Sequence, residues 1–395
     1  MLSTRSRMLN PRKYVEMTIE KRMEYSVPLG GNKPRRVRKW ASNTNMMRNI
    51  TGNIGSTTTP TKPSSSVKNV SWSSNSEFLL VAHGGDSSNS KVTLYRIFGE
   101  IFQRVYLSIT DVVNHVCIAP DAKYLSIATN SASGNSVSVV MRNEDDATRM
   151  NTSEWSSLPT VTAYNTSWSP NGEVIAVGTP LSPYLWLGQR RAAAGGLFKM
   201  PNPSTMPTGT VNHTAWSPDA KYLAVCSNAS PYLMVYARTG NYTWSNVVLN
   251  GGVVSSAPHL KAGWSPDGKY LVVCTNGGSN FSLGMYKVEG NSLTRLAFAI
   301  PPAFPTQVRS VVWHPGGEYF AVVSGSHFIS MYKFDYKEDK AYPVAFPLPL
   351  LAQVEDVSWS PDGRFFIVCY QDTNHLDIFA VDEDTSTGAR LIIQN

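Results

Sequence analysis

WSPDAKYLAVCSN, residues 216–228, decides the fold, because the chain repeats it. The pattern returns as WSPDGKYLVVCTN from Trp264 and WSPDGRFFIVCYQ from Trp359. It recurs more loosely as WSSNSEFLLVAHG from Trp72, IAPDAKYLSIATN from Ile118, WSPNGEVIAVGTP from Trp168 and WHPGGEYFAVVSG from Trp313. The anchors at 72, 118, 168, 216, 264, 313 and 359 are separated by 46, 50, 48, 48, 49 and 46 residues. A period in the forties belongs to propellers and solenoids.

Each copy reads as strands. Val211–Trp216 is a short strand, SPDAK a turn rich in Pro, Asp and small residues, and YLAVC an apolar strand. YLMVYAR from Tyr232 supplies a third strand and NYTWSNVVL from Asn241 a fourth. Third strands at equivalent places are KVTLYRI from Lys91, SVSVVMR from Ser136, PYLWLGQ from Pro183, FSLGMYK from Phe281, FISMYKF from Phe328 and HLDIFAV from His375. Four short strands per unit make one blade, so the fold class is all-β: a seven-bladed propeller over residues 67–395, preceded by an extended basic arm, residues 1–66. No helical periodicity competes with this over the repeats.

The SPDGKYLA turn and strand, followed about ten residues later by a strand such as LMVYA, resemble the WD-repeat and related WSPDG-type propeller proteins. The resemblance departs from the pattern in two ways. Tyr236, Tyr286, Tyr332 and Phe379 stand where the closing tryptophan of the Trp-Asp pair would be, and the Gly-His pair is missing, although His115 and His213 each lie three residues before an anchor. More loosely, a propeller carrying an extended arm resembles structural proteins of bacteriophage particles and tails.

Charge divides the chain. Residues 1–66 carry thirteen Lys or Arg against three Glu, a net of +10, whereas the remainder carries a net of −3. Within the arm, residues 11–25 place Val15, Ile19 and Met23 along one side of a short amphipathic helix. A basic cluster follows, with Arg35, Arg36, Arg38, Lys39 and Trp40, and then a polar, Pro-containing linker. A segment of this composition is expected to order on an acidic protein surface if it orders at all. Nucleic acid is the less favoured partner, since no base-reading module accompanies the cluster. No apolar run is long enough to span a membrane, and the first residues lack the apolar core of a signal peptide. The expectation is synthesis in the cytoplasm and, on the looser resemblance, incorporation into a virion.

Cys226, Cys274 and Cys369 lie ten residues after their anchors, in a slot that holds Ala82, Ala128, Gly178 and Val323 in other repeats. That pattern selects for small buried volume. It argues against shared metal ligands and against disulfides, so neither metal nor other cofactor is expected. Asp219, Asp267 and Asp362 each follow a proline in a turn and are expected to cap their own backbone.

No GxSxG, HExxH, GxxxxGK[ST] or paired CxxC occurs, and little chain follows the last repeat. The expectation is therefore a non-enzymatic propeller serving as a structural or interaction part of a larger assembly, tethered by its arm. Two loops that break the period are the candidate contact surfaces: residues 142–160 with Trp155, and residues 187–209 with Arg190, Arg191, Leu197, Phe198 and Met200. A receptor- or glycan-binding propeller is the alternative, with Trp155, Tyr184 and Trp244 as exposed platforms. The residues three before each anchor are all polar: Asn69, His115, Asn165, His213, Lys261, Ser310 and Asp356. They are expected to form a ring around the propeller axis. Ring closure stays open between RLIIQN at residues 390–395 and a strand from the arm. Removal of residues 1–66 is expected to leave a folded, less basic propeller.

Overall fold

The computed structural model describes residues 26–27, 35–36, 47–50, 63, 65–85, 90–105, 107, 109–130, 136–142, 147–149, 158–190, 196–253, 257–276, 283–296, 308–324, 328–344, 353–371 and 376–381. Among these the only regular elements are strands, arranged as seven blades and one separate two-stranded pair. Blade four is typical: Val211–Trp216, Tyr222–Ser227, Leu233–Arg238 and Trp244–Asn246 run antiparallel from first to fourth strand. In blade five a further strand, Val248–Asn250, lies parallel to the fourth strand Ser292–Leu296.

The repeat turn makes its own scaffold. Ser217 donates to Asp219 Oδ1, which also accepts from the backbone N–H of Lys221, while Ser217 Oγ accepts from the backbone N–H of Tyr222. Ser265 with Asp267 and Ser360 with Asp362 repeat the arrangement, so these carboxylates cap backbone as the sequence suggested. The residue after the Asp takes a left-handed backbone, with φ of 71° at Gly268 and Gly363, which explains the glycine of SPDG.

Every second strand is an apolar run rather than an alternation, because its two faces meet two different blades. Tyr222–Ser227, Tyr270–Thr275, Tyr319–Ser324 and Phe365–Tyr370 are buried at every position. The anchor tryptophans fill the wedges between blades: Trp264 stacks on Tyr222 of blade four, and Trp72 on Phe365 of blade seven, with ring centroids 5.8 and 6.0 Å apart. In the small-residue slot Cys226, Cys274 and Cys369 are free and fully buried. A Cβ on Gly178 would lie 2.7 Å from both Cγ1 and the backbone oxygen of Val211, so the first strand of the next blade sets the size limit.

Blade seven settles the closure. Its outer strand is Met47–Asn49, paired antiparallel with Leu376–Val381 in the register Met47↔Val381, Arg48↔Ala380 and Asn49↔Phe379. Ile50 N–H extends the ladder to Ile378 O, and Met47 and Ile50 are both buried. Arg48 forms a two-pronged ion pair with Glu100 of blade one, at 3.2 and 2.8 Å. The strand thus bonds to the last blade while its charge grips the first. Residues 390–395 lie outside the described residues, as does the predicted helix at 11–25. Removing residues 1–66 takes a strand out of blade seven rather than trimming a tail.

Two stability changes follow. Gly178→Ala is expected to lower the unfolding free energy by about 1–3 kcal/mol through overpacking against Val211, and Ile50→Ala by about 2–5 kcal/mol through loss of the closing contact. Urea unfolding of the full-length variants measures both; an Ile50→Ala protein as stable as the parent would show that the strand does not close the ring.

Candidate functional site

The first strands surround the propeller axis, and a shared irregularity shapes them. Their pairing with the second strand shifts register between Val67 and Asn69, Val113 and His115, Val211 and His213, His259 and Lys261, Val308 and Ser310, and Val354 and Asp356. Bulges of this kind re-aim side chains and recur beside binding sites. Here they set the polar residue three before the anchor in six of the seven blades, whereas Asn165 begins its strand in regular register. Two residues further along, Ser71, Cys117, Ser167, Ala215, Gly263, Val312 and Ser358 form a second, partly exposed row of mostly small side chains.

The ring is a connected network. Asn69 Oδ1 accepts from Val116 N–H of the next blade at 2.8 Å, and its Nδ2 lies 3.2 Å from His115 Nε2. Asn165 Oδ1 accepts from Thr214 N–H at 3.0 Å and from the Thr214 hydroxyl. His213 Nδ1 receives a long contact, 3.5 Å, from Ala262 N–H. The His115 and His213 rings meet edge to face with centroids 6.2 Å apart. Lys261 reaches from blade five past blade six to blade seven, where its Nζ lies 2.5 Å from Asp356 Oδ1. The same oxygen accepts from Ser310 Oγ at 2.7 Å and Val357 N–H at 2.9 Å.

Burial and charge act together on the histidines. His115 is pushed down to about 4, first by desolvation and then by the Lys261 charge, with Asp356 pulling the other way. His213 is held well below its ordinary value by burial, then by Lys261 and His115. Both imidazoles are neutral near pH 7, side by side and next to an ammonium group. Cys117, on the second row, has its thiol pushed up by burial, so it is not a thiolate nucleophile.

Antiparallel topology places this ring on one face of the propeller. The connections from first to second strand run 73–77, 119–123, 169–173, 217–221, 265–269, 314–318 and 360–364, the same length in every blade, and lie at the opposite, tryptophan end. The connections between blades and from second to third strand, at the end nearer the ring, vary in length. The polar ring thus lies toward the end whose connections vary in length.

The other candidates separate. Of the period-breaking loops, 187–209 contributes blade-three strands Leu185–Arg190 and Leu197–Lys199, and 142–160 contributes the backbone strand Ala147–Arg149. Leu197 and Met200 are buried core residues rather than contact residues, because strand alternation turns Leu197 inward and leaves Phe198 41% exposed against Tyr242. Arg190 is engaged by Asp121 at 2.5 Å. Trp244 is no exposed platform: it is buried against Trp216 at 5.7 Å, and Tyr184 is half-buried. Arg35 and Arg36 form a backbone pair with Ser26–Val27. Arg38, Lys39, Trp40, Trp155 and Arg191 lie outside the described residues. No described helix is long and apolar enough to cross a membrane.

No family model matches the sequence, and no curated protein does. Many solved structures share the fold. A candidate 6-phosphogluconolactonase from Bacteroides fragilis is 14% identical with a TM-score of 0.57, over 82% of this chain and 93% of that one. Another from Bacteroides uniformis is 11% identical with a TM-score of 0.60, over 78% and 96%. A hydrazine synthase from Kuenenia stuttgartiensis is 14% identical with a TM-score of 0.59, over 83% and 99%. At these identities the likeness shows the propeller fold alone. The WD-repeat resemblance is thus carried by the fold and not by a family match, and nothing supports the bacteriophage one. The expectation of a non-enzymatic scaffold, reached from missing motifs, is corrected: similar propellers are named for enzymes, so the lack of a local motif does not exclude catalysis. The receptor- or glycan-binding alternative fits no better once Trp244 is buried.

The histidines with lowered values make stability depend on pH. His115, His213, His259 and His314 all have folded-state values below the ordinary 6.5. Their contribution is complete above that value and is lost as pH falls through it, by up to about 1.4 kcal/mol per histidine for each pH unit. The melting temperature should therefore drop between pH 7 and pH 5, and His314→Gln should flatten the slope.

Proposed function

We propose that the protein is a hydrolase that opens a small cyclic ester, of the sugar-acid lactone class, at the axial ring. The observation that carries this is the pair of neutral imidazoles, His115 and His213, beside the ammonium of Lys261. The names of the two Bacteroides propellers support the substrate class.

The residues have separable tasks. His213 is the general base, because its backbone contact is long and leaves the ring lone pair available. His115, oriented by Asn69, packs against it. Water attacks the lactone carbonyl as His213 takes its proton. The ring C–O bond then breaks, and the imidazolium returns the proton to the departing alkoxide, leaving a hydroxy acid and the neutral histidine. Lys261, fixed by Asp356, balances the negative charge that forms on the way. Asp356 is itself fixed by Ser310 and by Val357 N–H, so the ammonium is placed before substrate arrives.

Acid release from glucono-δ-lactone and from its 6-phosphate, measured above the spontaneous rate, tests the reading. Saturable hydrolysis is expected, with kcat lowered about 100-fold or more by His213→Gln. The rate should stay level from pH 7.5 through 6.5, where an ordinary histidine base would become protonated. Enzyme at micromolar concentration giving no rate above background on either lactone would overturn the proposal.

A further inference from the structure

Just above the polar ring, at the mouth of the axial channel, one blade presents an aromatic side chain where the others do not. In six blades the residue between the two ends of the register shift bulges at this level: Lys68, Asn114, Asn212, Leu260, Arg309 and Glu355. Four of these give a donor to the next blade. Lys68 Nζ reaches Val113 O at 2.8 Å, Asn114 Nδ2 reaches Ala163 O and Asn212 Nδ2 reaches His259 O at 2.9 Å, and Arg309 meets Glu355 at 2.7 Å. Blade three has Tyr164 at this place, immediately before its first strand, and its pairing shows no shift. Tyr164 N–H donates to Gly178 O at 2.9 Å and Asn165 pairs with Gly178. Among the described residues Tyr164 makes no stitch to a neighbouring blade, and it is 42% exposed.

Regular alternation fixes the direction of that side chain. Along this strand Asn165 and Ser167 both contact Thr214, on blade four. Thr166 bonds to Ser126 and Trp168 packs on Tyr124, both on blade two. The period of two therefore sends Tyr164 toward blade two, on the side of Thr166 and about 7 Å along the strand from it. His115 of blade two lies against the Thr166 backbone, which pulls its pKa up. Tyr164 is thus set at the mouth on the His115 side. A lone exposed apolar side chain needs no explanation, but here three gather beside a polar ring. Val112, which precedes the first strand of blade two, is 52% exposed, and Leu181, between the second and third strands of blade three, is 58% exposed. The charges of the same level, Lys68, Arg309 and Glu355, belong to blades one, six and seven across the axis. The mouth has an aromatic, apolar side and a charged side.

Resting on the hydrolase reading, we propose that Tyr164 is the substrate-positioning residue of the mouth, whose ring face receives the C–H face of the lactone's sugar ring. An aromatic face carries negative charge density, and the C–H bonds of a saturated ring turn their positive ends outward, so the two faces attract and bury apolar area together. The contact is the same before and during ester opening. It therefore serves binding, and it selects a six-membered sugar ring over an open-chain ester of the same acid.

Kinetics and ligand observation on the full-length protein test this. Tyr164→Ala should raise KM for glucono-δ-lactone about tenfold and leave kcat within about twofold, the mark of an interaction equal in ground and transition states. Tyr164→Phe, which keeps the ring, should behave as the parent. In a separate measurement by nuclear magnetic resonance, saturation transferred from the protein to the ring C–H protons of 1,5-anhydroglucitol, a pyranose with no ester to open, is read for each variant. It should be strong in the parent and in Tyr164→Phe and lost in Tyr164→Ala. Lactone opening with KM unchanged in Tyr164→Ala, or raised alike in both variants, would overturn the platform and leave the hydrolase reading standing. No lactone opening, but a saturation transfer that Tyr164→Ala abolishes, would sink the hydrolase reading and retain the sugar platform. No lactone opening and no transfer that depends on Tyr164 would overturn both.

Discussion

A propeller blade has two apolar faces and no means of covering either by itself. That constraint organises the whole molecule. The second strands are uniformly apolar because each lies between two neighbours, and the ring must close because an open array would leave one face of blade one and one of blade seven in water. The stacking of Trp72 on Phe365 joins these two faces, with Phe102 set edge-on to both. The three-residue strand at Met47 adds the hydrogen bonds that side-chain stacking cannot supply. Closure is thus shared between a packed seam and a short ladder.

Closure also makes the axial ring possible. Seven first strands brought to one axis place one polar side chain from each at a common level, in a partly buried setting where an unpaired charge is costly. The network resolves this without many ions. Two histidines stay neutral, two asparagines cap backbone N–H groups, and the one lysine at this level is met by the one aspartate. Because Lys261 reaches past blade six to Asp356, the pair spans blades five and seven, and Ser310 of blade six completes the carboxylate's shell. Similar blades have produced a site with little symmetry, which is what chemistry on an asymmetric substrate requires.

Residue pattern carried some of these features openly. Tryptophans at a period in the forties, Asp in the turn and small residues in the Cys226 slot each reflect a local or nearest-neighbour need that recurs in every blade, so repetition exposes it. The identity of the polar ring was legible for the same reason. Its connections were not, since no repeat records that Lys261 pairs two blades away. Leu197 and Met200 were misread as a contact surface because their segment departs from the repeat length, while its strand alternation sets them in the core. Trp244 was misread likewise, its burial depending on Trp216 of the first strand in the same blade.

The sequence by itself determined the all-β class, the blade number and the position in each repeat that faces the axis, because these follow from strand period and from one packing problem solved seven times. Only the tertiary structure decided that Met47–Asn49 closes blade seven, that desolvation lowers His115 and His213, and that Lys261 pairs with Asp356 two blades away. Each of these depends on groups far apart in the chain meeting in space, and a linear pattern does not encode that meeting.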